Sequence, residues 1–219
     1  FMDQFACACS MPGYATLLDC RDNSHMEVPS SFSDATWVVV NSGIRRQLAE
    51  GGYAHKVAGV HNAIDQVNAR LGPESHFTRF LQQDDIDALG PEAGLSEKEV
   101  RLLKHVCSEN YRVHAMRYAL EKKDPEAAGT LLNLGHQSLS HVFRVSTPAI
   151  DSFVDHAQAL DGVFGIRLTG AGLGGSLVAL VATSALEAVL PELEASLPNP
   201  EGAVYRIPRF VRGVEIWRP

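Results

Sequence analysis

The sequence predicts an α+β fold, and three observations carry that prediction. Short apolar stretches rich in branched residues, at 36–41, 163–168 and 177–181, read as strands. A block of helices with clear start signals fills the region between the first strand and the second. After the third strand the chain closes as helix then strand, so strand, helix and strand follow one another behind a block of helices. That order suggests a split βαβ layer, with helices segregated from the sheet.

Each element has its own warrant. Residues 14–19 (Tyr-Ala-Thr-Leu-Leu-Asp) and 36–41 (Thr-Trp-Val-Val-Val-Asn) read as strands, the second through its run of β-branched and aromatic residues. Between them Asn23-Ser24, Pro29 and Ser30-Ser31 mark loops. A helix is expected from about Arg45 to Leu71, weakened by Gly51-Gly52 and Gly59. Residues 84–91 read as a short helix and turn ending at Gly90-Pro91. Ser96-Glu97-Lys98-Glu99 then forms a capping box, from which Val100, Leu103, His105, Val106, Tyr111, His114 and Tyr118 run at helical spacing to Lys122-Lys123. Asp124-Pro125 restarts a helix with an N-cap and a proline at its first position, and Thr147-Pro148 starts another that runs to Leu160. A helix over 184–196, a strand near 203–207 and a closing strand at 213–217 complete the chain.

Composition narrows the class. The 219 residues are 45 % apolar and 21 % charged, the balance of an ordinary globular protein. A net charge of −7 with no basic run gives no electrostatic footprint for nucleic acid. No apolar stretch is long enough to span a membrane. Cys7, Cys9, Cys20 and Cys107 form no CxxC, and thiols scattered this way point to a reducing compartment, so a cytoplasmic location is expected. The nine histidines form no HExxH or similar ligand pair, which argues against a structural metal. His105 and His136 have no carboxylate at a suitable spacing, and both read as hydrogen-bonded residues between helices.

The chemistry-bearing stretch is Leu168-Thr169-Gly170-Ala171-Gly172-Leu173-Gly174-Gly175-Ser176, followed by the apolar Leu177–Val181. Four glycines in six residues suit neither helix nor strand. They permit close approach of backbone N–H groups to an anion or to another segment. Alone, such a cluster is more often a hairpin turn, and neither a phosphate loop of the G-x-x-x-x-G-K-[ST] kind nor a dinucleotide fingerprint is present.

Taken with its neighbours, this stretch resembles the third signature motif of the GHMP small-molecule kinases, and the rest of the chain resembles galactokinases. Phe1-Met2-Asp3-Gln4-Phe5 is similar to that family's Met-Asp-Gln motif. Asp19-Cys20-Arg21, Val38–Arg46, Tyr53, His105, Glu109-Asn110, Arg112, His136, Ser138-Leu139, Val145-Ser146, Pro148 and Asp151 follow in the family's order across nearly all 219 residues. Three stretches depart from it. His55-Lys56-Val57-Ala58-Gly59-Val60 stands where galactokinases carry a charged Arg-Arg-x-Glu-Cys, and Ser140-His141-Val142-Phe143 replaces Arg-Asp-Asp-Tyr. In the glycine motif, Leu173 and Ser176 replace the usual Phe and Cys.

The resemblance implies a GHMP architecture, with residues 1–45 a remainder of the N-terminal domain and residues 46–219 the C-terminal domain. It implies ATP-dependent phosphorylation of galactose at the C1 hydroxyl. Asp3 would be the catalytic base beside the sugar, Tyr53 would contact the sugar, and Gly170, Gly172, Gly174 and Gly175 would line the nucleotide-phosphate cleft. On this reading a Cβ at Gly172 or Gly174 harms catalysis more than folding. The family's Gly-Glu-His-x-Asp segment and its Pro-x-x-x-Gly-Leu-Ser-Ser-Ser phosphate loop do not occur here. The chain is therefore expected to be a fragment, inactive alone, with the ligands of ATP and Mg2+ in the absent N-terminal part. That part, or a partner, would cover residues 1–45. A kinase for N-acetylgalactosamine or another sugar, and a non-catalytic sugar-binding regulator derived from a kinase, are the alternatives.

Overall fold

The computed structural model describes residues 2–45, 52–71 and 83–207. Helix α1 (Met2–Cys9) leads into an antiparallel hairpin of β1 (Tyr14–Leu18) and β2 (His25–Pro29), registered Tyr14 to Pro29 through Leu18 to His25. Strand β2 lies where the sequence suggests loop. Its residues His-Met-Glu-Val-Pro carry no strong strand signal, and pairing to β1 supplies what propensity does not. Strand β3 (Ala35–Asn41) is followed by α2 (Gly52–Leu71), α3 (Gln83–Glu92) and the long α4 (Glu97–Lys122). Helix α3 continues through Pro91. Gly90 is no stop signal but a contact point, since a Cβ there would lie 2.7 Å from Val100 Cγ2.

The helix signals of the middle region act as read. Ser96 Oγ accepts from the Glu99 N–H at 3.3 Å, and a Glu99 carboxylate oxygen accepts from the Ser96 N–H at 2.9 Å. Lys123 closes α4 in the left-handed region at φ 55°. Asp124 caps α5 (Pro125–Gln137) through the Ala127 N–H at 2.9 Å, and Thr147 caps α6 (Pro148–Gln158) through the Ile150 N–H. Between α5 and α6 lies one π-helical turn, Ser138–Val142, which sequence periodicity does not mark. Strands β4 (Val163–Leu168) and β5 (Ser176–Ala182) flank the glycine stretch, and α7 (Leu186–Ala195) leads to β6 (Ala203–Arg206). The expected closing strand at 213–217 lies outside the described residues.

Four strands form one antiparallel sheet in the order β4-β5-β3-β6. Strands β5 and β6 both run antiparallel to β3 and therefore parallel to each other, with α7 crossing between them. This is the split βαβ arrangement. The sheet also reaches across residue 45, because β3 sits at its centre although it precedes that position.

Alternation along the strands sends residues to two covered faces. Val38, Val40, Ile166, Leu168, Leu177, Ala179 and Val181 pack with Ile150, Phe153, Val154, Leu186, Val189 and Leu193 of α6 and α7. Leu180, with Trp37, Val178 and Phe164, packs on the other side with Ala119 and Leu120 of α4, Ala128 and Leu132 of α5 and Val28 of the hairpin. At Gly129 and Gly165, α5 and β4 meet so closely that a Cβ on either would strike the other element's backbone.

Candidate functional site

The loop between β4 and β5 takes conformations that side chains disfavour: φ is 69° at Gly170, 80° at Gly172, 133° at Gly174 and 86° at Gly175, with Leu173 also positive at 56°. What approaches the loop is the chain itself. A Cβ on Gly172 would collide with the Val145 carbonyl, and one on Gly174 would lie 2.5 Å from the Ile44 carbonyl oxygen. The Leu173 N–H donates to Val145 O at 2.7 Å and the Gly175 N–H to Ile44 O at 3.0 Å. Ser42 donates to Gly175 O twice, from its N–H at 3.0 Å and from Oγ at 2.7 Å. The glycines thus seat the loop between the end of β3 and the segment after the π turn. Against the expectation that a Cβ at Gly172 or Gly174 harms catalysis more than folding, both positions combine a positive φ with a backbone clash. The N–H groups of Gly170 and Ala171 have no hydrogen-bond partner among the described residues, and Gly170 is exposed.

Beside the loop, β4 contributes Arg167 and α4 contributes Glu109 and Arg112. Arg112 Nε donates to Glu109 Oε1 at 2.6 Å, Arg167 Nη2 donates to Glu109 Oε2 at 3.0 Å, and Arg112 Nη2 donates to Ser108 Oγ at 2.6 Å. Burial raises the Glu109 carboxyl, but Arg167 and then Arg112 outweigh it and hold the group below the ordinary carboxylate value. Two guanidiniums on one carboxylate leave a net positive charge. Glu109 and Arg167 stand between two cavities. One, of about 360 Å3, is lined by Val57, Val60, His61, His105, Phe143 and Gly170 with them. The other, of about 880 Å3 and largely apolar, lies between α1, the hairpin, α4 and α5.

Two buried histidines complete the region. His105 Nδ1 lies 2.9 Å from Ser138 Oγ, and its ring stacks on Phe143 at 4.3 Å and 17°. Burial pushes this imidazole down to about 4; Glu109 opposes the shift, while Arg112, Arg167 and Lys56 add to it. His136 differs from the sequence expectation, for it does have a carboxylate partner. The Leu168 N–H donates to Nδ1 at 3.3 Å, so Nε2 carries the proton and donates to Asp151 Oδ1 at 3.2 Å. Ser140 Oγ donates to Asp151 Oδ2 at 2.7 Å. Burial lowers the His136 pKa despite Asp151.

Of the residues expected from sequence, Gly170 lines the smaller cavity beside Glu109 and Arg167, while Gly172 and Gly174 are buried in chain-to-chain contacts. Asp3 lies in the first turn of α1 and Tyr53 in the first turn of α2; their side chains lie outside the described residues. Sequence reasoning missed Arg167, whose carboxylate partner Glu109 comes from a distant segment. Among the described residues, no three or more His, Cys, Asp or Glu gather as metal ligands, and no helix is long and apolar enough to cross a membrane. None of the four cysteines forms a disulfide among the described residues, and Cys107 alone is buried.

The antiparallel sheet with its split βαβ unit, covered by helices and carrying a glycine loop at the β4–β5 turn, has the α+β architecture of a GHMP kinase C-terminal domain. Residues 116–199 match the family described as "GHMP kinases C terminal". Among individual proteins the chain is similar to galactokinases. It is 36 % identical to galactokinase of Streptomyces coelicolor, over 88 % of this chain and 49 % of that protein. It is 38 % identical to galactokinase of Chloroflexus aurantiacus, over 85 % of this chain and 47 % of that protein. The crystal structure of Lactococcus lactis galactokinase complexed with galactose superposes with a TM-score of 0.84 at 27 % identity, over 94 % of this chain and 53 % of that one. The chain spans about half the length of the curated relatives it matches.

Proposed function

We propose that the protein containing this chain is a sugar kinase that transfers the γ-phosphoryl group of ATP to the C1 hydroxyl of galactose. The observation that carries this reading is the similarity to a galactose-bound galactokinase along nearly the whole chain. Phosphoryl transfer needs an acceptor hydroxyl held in line and charge neutralisation around the moving group. In this reading Asp3 accepts the proton of the C1 hydroxyl, and Tyr53 packs against the sugar. Gly170 and Ala171 turn their unpartnered N–H groups to the phosphate cleft, while Gly172, Gly174 and Gly175 hold the loop in place. ATP with Mg2+ supplies the phosphoryl group and its neutralising charge. The described residues offer no acidic cluster for the ion, and none of this chain's residues is assigned to it. The triphosphate site comes from a phosphate loop that these 219 residues do not contain, on a segment or partner that meets residues 1–45.

Steady-state kinetics and calorimetric galactose titration of the intact enzyme test this reading. Asp3→Ala should abolish turnover while galactose binding stays measurable. An Asp3→Ala enzyme that keeps most of its kcat would end the assignment of Asp3 as base. The 219-residue chain by itself should show negligible ADP release with galactose. Turnover in the kinase range of roughly 1–100 per second from that chain would show that it is self-sufficient.

A further inference from the structure

Two of the departures from the galactokinase pattern face each other. Lys56 of α2 reaches over the ring of Phe143, its Nζ 5.6 Å from the centroid, and Phe143 stacks in turn on His105 of α4. One turn before His105 on the same helix is Arg101, and three residues before that is Lys98. Arg144 follows Phe143 directly in the left-handed region at φ 58°. Helix α2 meets α4 closely here, for a Cβ on Gly59 would lie 2.9 Å from Leu102 Cδ1. Lys98, Arg101 and Arg144 all lie close enough to Lys56 to act on its charge, so cations from three segments gather beside Phe143 in a chain whose net charge is −7.

None of the four is paired with a carboxylate among the described residues. By contrast, Arg112 and Arg167 hold Glu109, Lys104 holds Asp87 and Arg117 holds Glu121. Two acids stand in the first turn of α4: Glu99 is spent on the Ser96 cap and on Asn62 and Gln66, and Glu97, though adjacent to Lys98 and one turn from Arg101, forms no ion pair with either among the described residues. Arg101 Nε is buried and donates to nothing, one of two such orphaned side-chain atoms among the described residues. A buried donor without an acceptor carries an uncompensated desolvation cost. Lys56 records the crowding as well: burial, then Lys98, Arg101 and Arg144, all lower its pKa.

We infer that the junction of α2, α4 and the segment after the π turn binds a phosphate-type oxoanion through Lys56, Lys98, Arg101 and Arg144. A tetrahedral oxoanion accepts donors from several directions, and guanidinium forks match its oxygens in pairs. The kinase reading assigns none of these four residues a role.

The Arg Nε–H resonances in 15N–1H spectra of the full chain give a direct readout. The Arg101 Nε–H signal should move saturably with sodium phosphate and stay put with sodium chloride at matched ionic strength. The exposed Arg144→Gln and the half-buried Lys56→Gln should each raise the phosphate Kd by about tenfold, the loss of one charge-assisted contact. Arg144→Gln keeps the test open should changes at Arg101 disturb folding. ADP titrated separately identifies the source: tighter binding than phosphate, lost in the same variants, assigns the oxoanion to a nucleotide, and equal or weaker binding assigns it to free phosphate. Equal movement with chloride, an adventitious ion only, overturns the site. So do an immobile Arg101 signal, an unchanged phosphate Kd in both variants, or movement with a glutamate-rich peptide but not with phosphate.

Discussion

The four-stranded sheet buries both faces and the β1–β2 hairpin buries one, and the two regions are secured by different means. In the larger sheet the closest contacts are backbone against backbone: Gly129 with Gly165, Gly172 with Val145, Gly174 with Ile44. The hairpin is secured by side chains, with Val28 buried among Ala15, Leu17, Ala119, Leu120 and Leu132, while Met11, Tyr14 and Met26 are exposed. A backbone contact tolerates no added atom, whereas a side-chain contact weakens by degrees. Substitution costs should therefore be abrupt in the first region and graded in the second.

The largest effect is expected at Gly172→Ala, where a positive φ and a blocked Cβ act together. It should lower stability by roughly 4 kcal/mol, measured by urea unfolding. A loss under about 1 kcal/mol would mean that the loop gives way and the contrast fails. Acid comes next. His105 has its folded pKa at about 4, below the ordinary value of 6.5, so the unfolded chain takes up the proton first as pH falls. Its contribution is complete above about pH 6.5 and is lost down to about pH 4, some ~3 kcal/mol in all; the lowered pKa of His136 acts in the same direction. His105→Gln should flatten the stability profile in that window, and an unchanged slope would remove His105 as its source.

Smaller effects belong to the hairpin. Val28→Ala should cost about 2 kcal/mol in the same unfolding assay, and a cost matching that of Gly172→Ala would erase the distinction between the regions. Thr16 lies directly opposite Glu27, with Oγ1 3.3 Å from each carboxylate oxygen, on the face away from Val28. Glu27→Ala should cost only about 0.5 kcal/mol; a double-mutant cycle with Thr16→Ala that returns several times this would show the outer face to be structural.

What the sequence reveals of all this follows the range of the interaction. Ser96 with Glu99, Asp124 with Pro125 and Thr147 with Pro148 declare their helix starts because cap and helix are neighbours in the chain. The strands at 36–41, 163–168 and 177–181 declare themselves through branched residues. Strand β2 does not, since a polar five-residue stretch becomes a strand only once β1 is beside it. His136 meets Asp151 from another helix, fifteen residues away, beyond any spacing rule within one element. The glycines were legible as a site of close approach, but sequence alone does not say that Val145 and Ile44 are what approaches.

The position of β3 also sets a timetable. Asn41 pairs with Ser176, so residues 42–175 must be made before Thr36-Trp37-Val38-Val39-Val40 finds its main partner. At roughly 5–20 residues per second, the nascent strand waits roughly 7–27 s with its edges open, and β6, its other partner, arrives later still. An open apolar strand is a template for pairing with other chains. During synthesis, then, the vulnerable part of this molecule is the strand that ends up innermost, and its protection in that interval must come from the helices made meanwhile or from a chaperone.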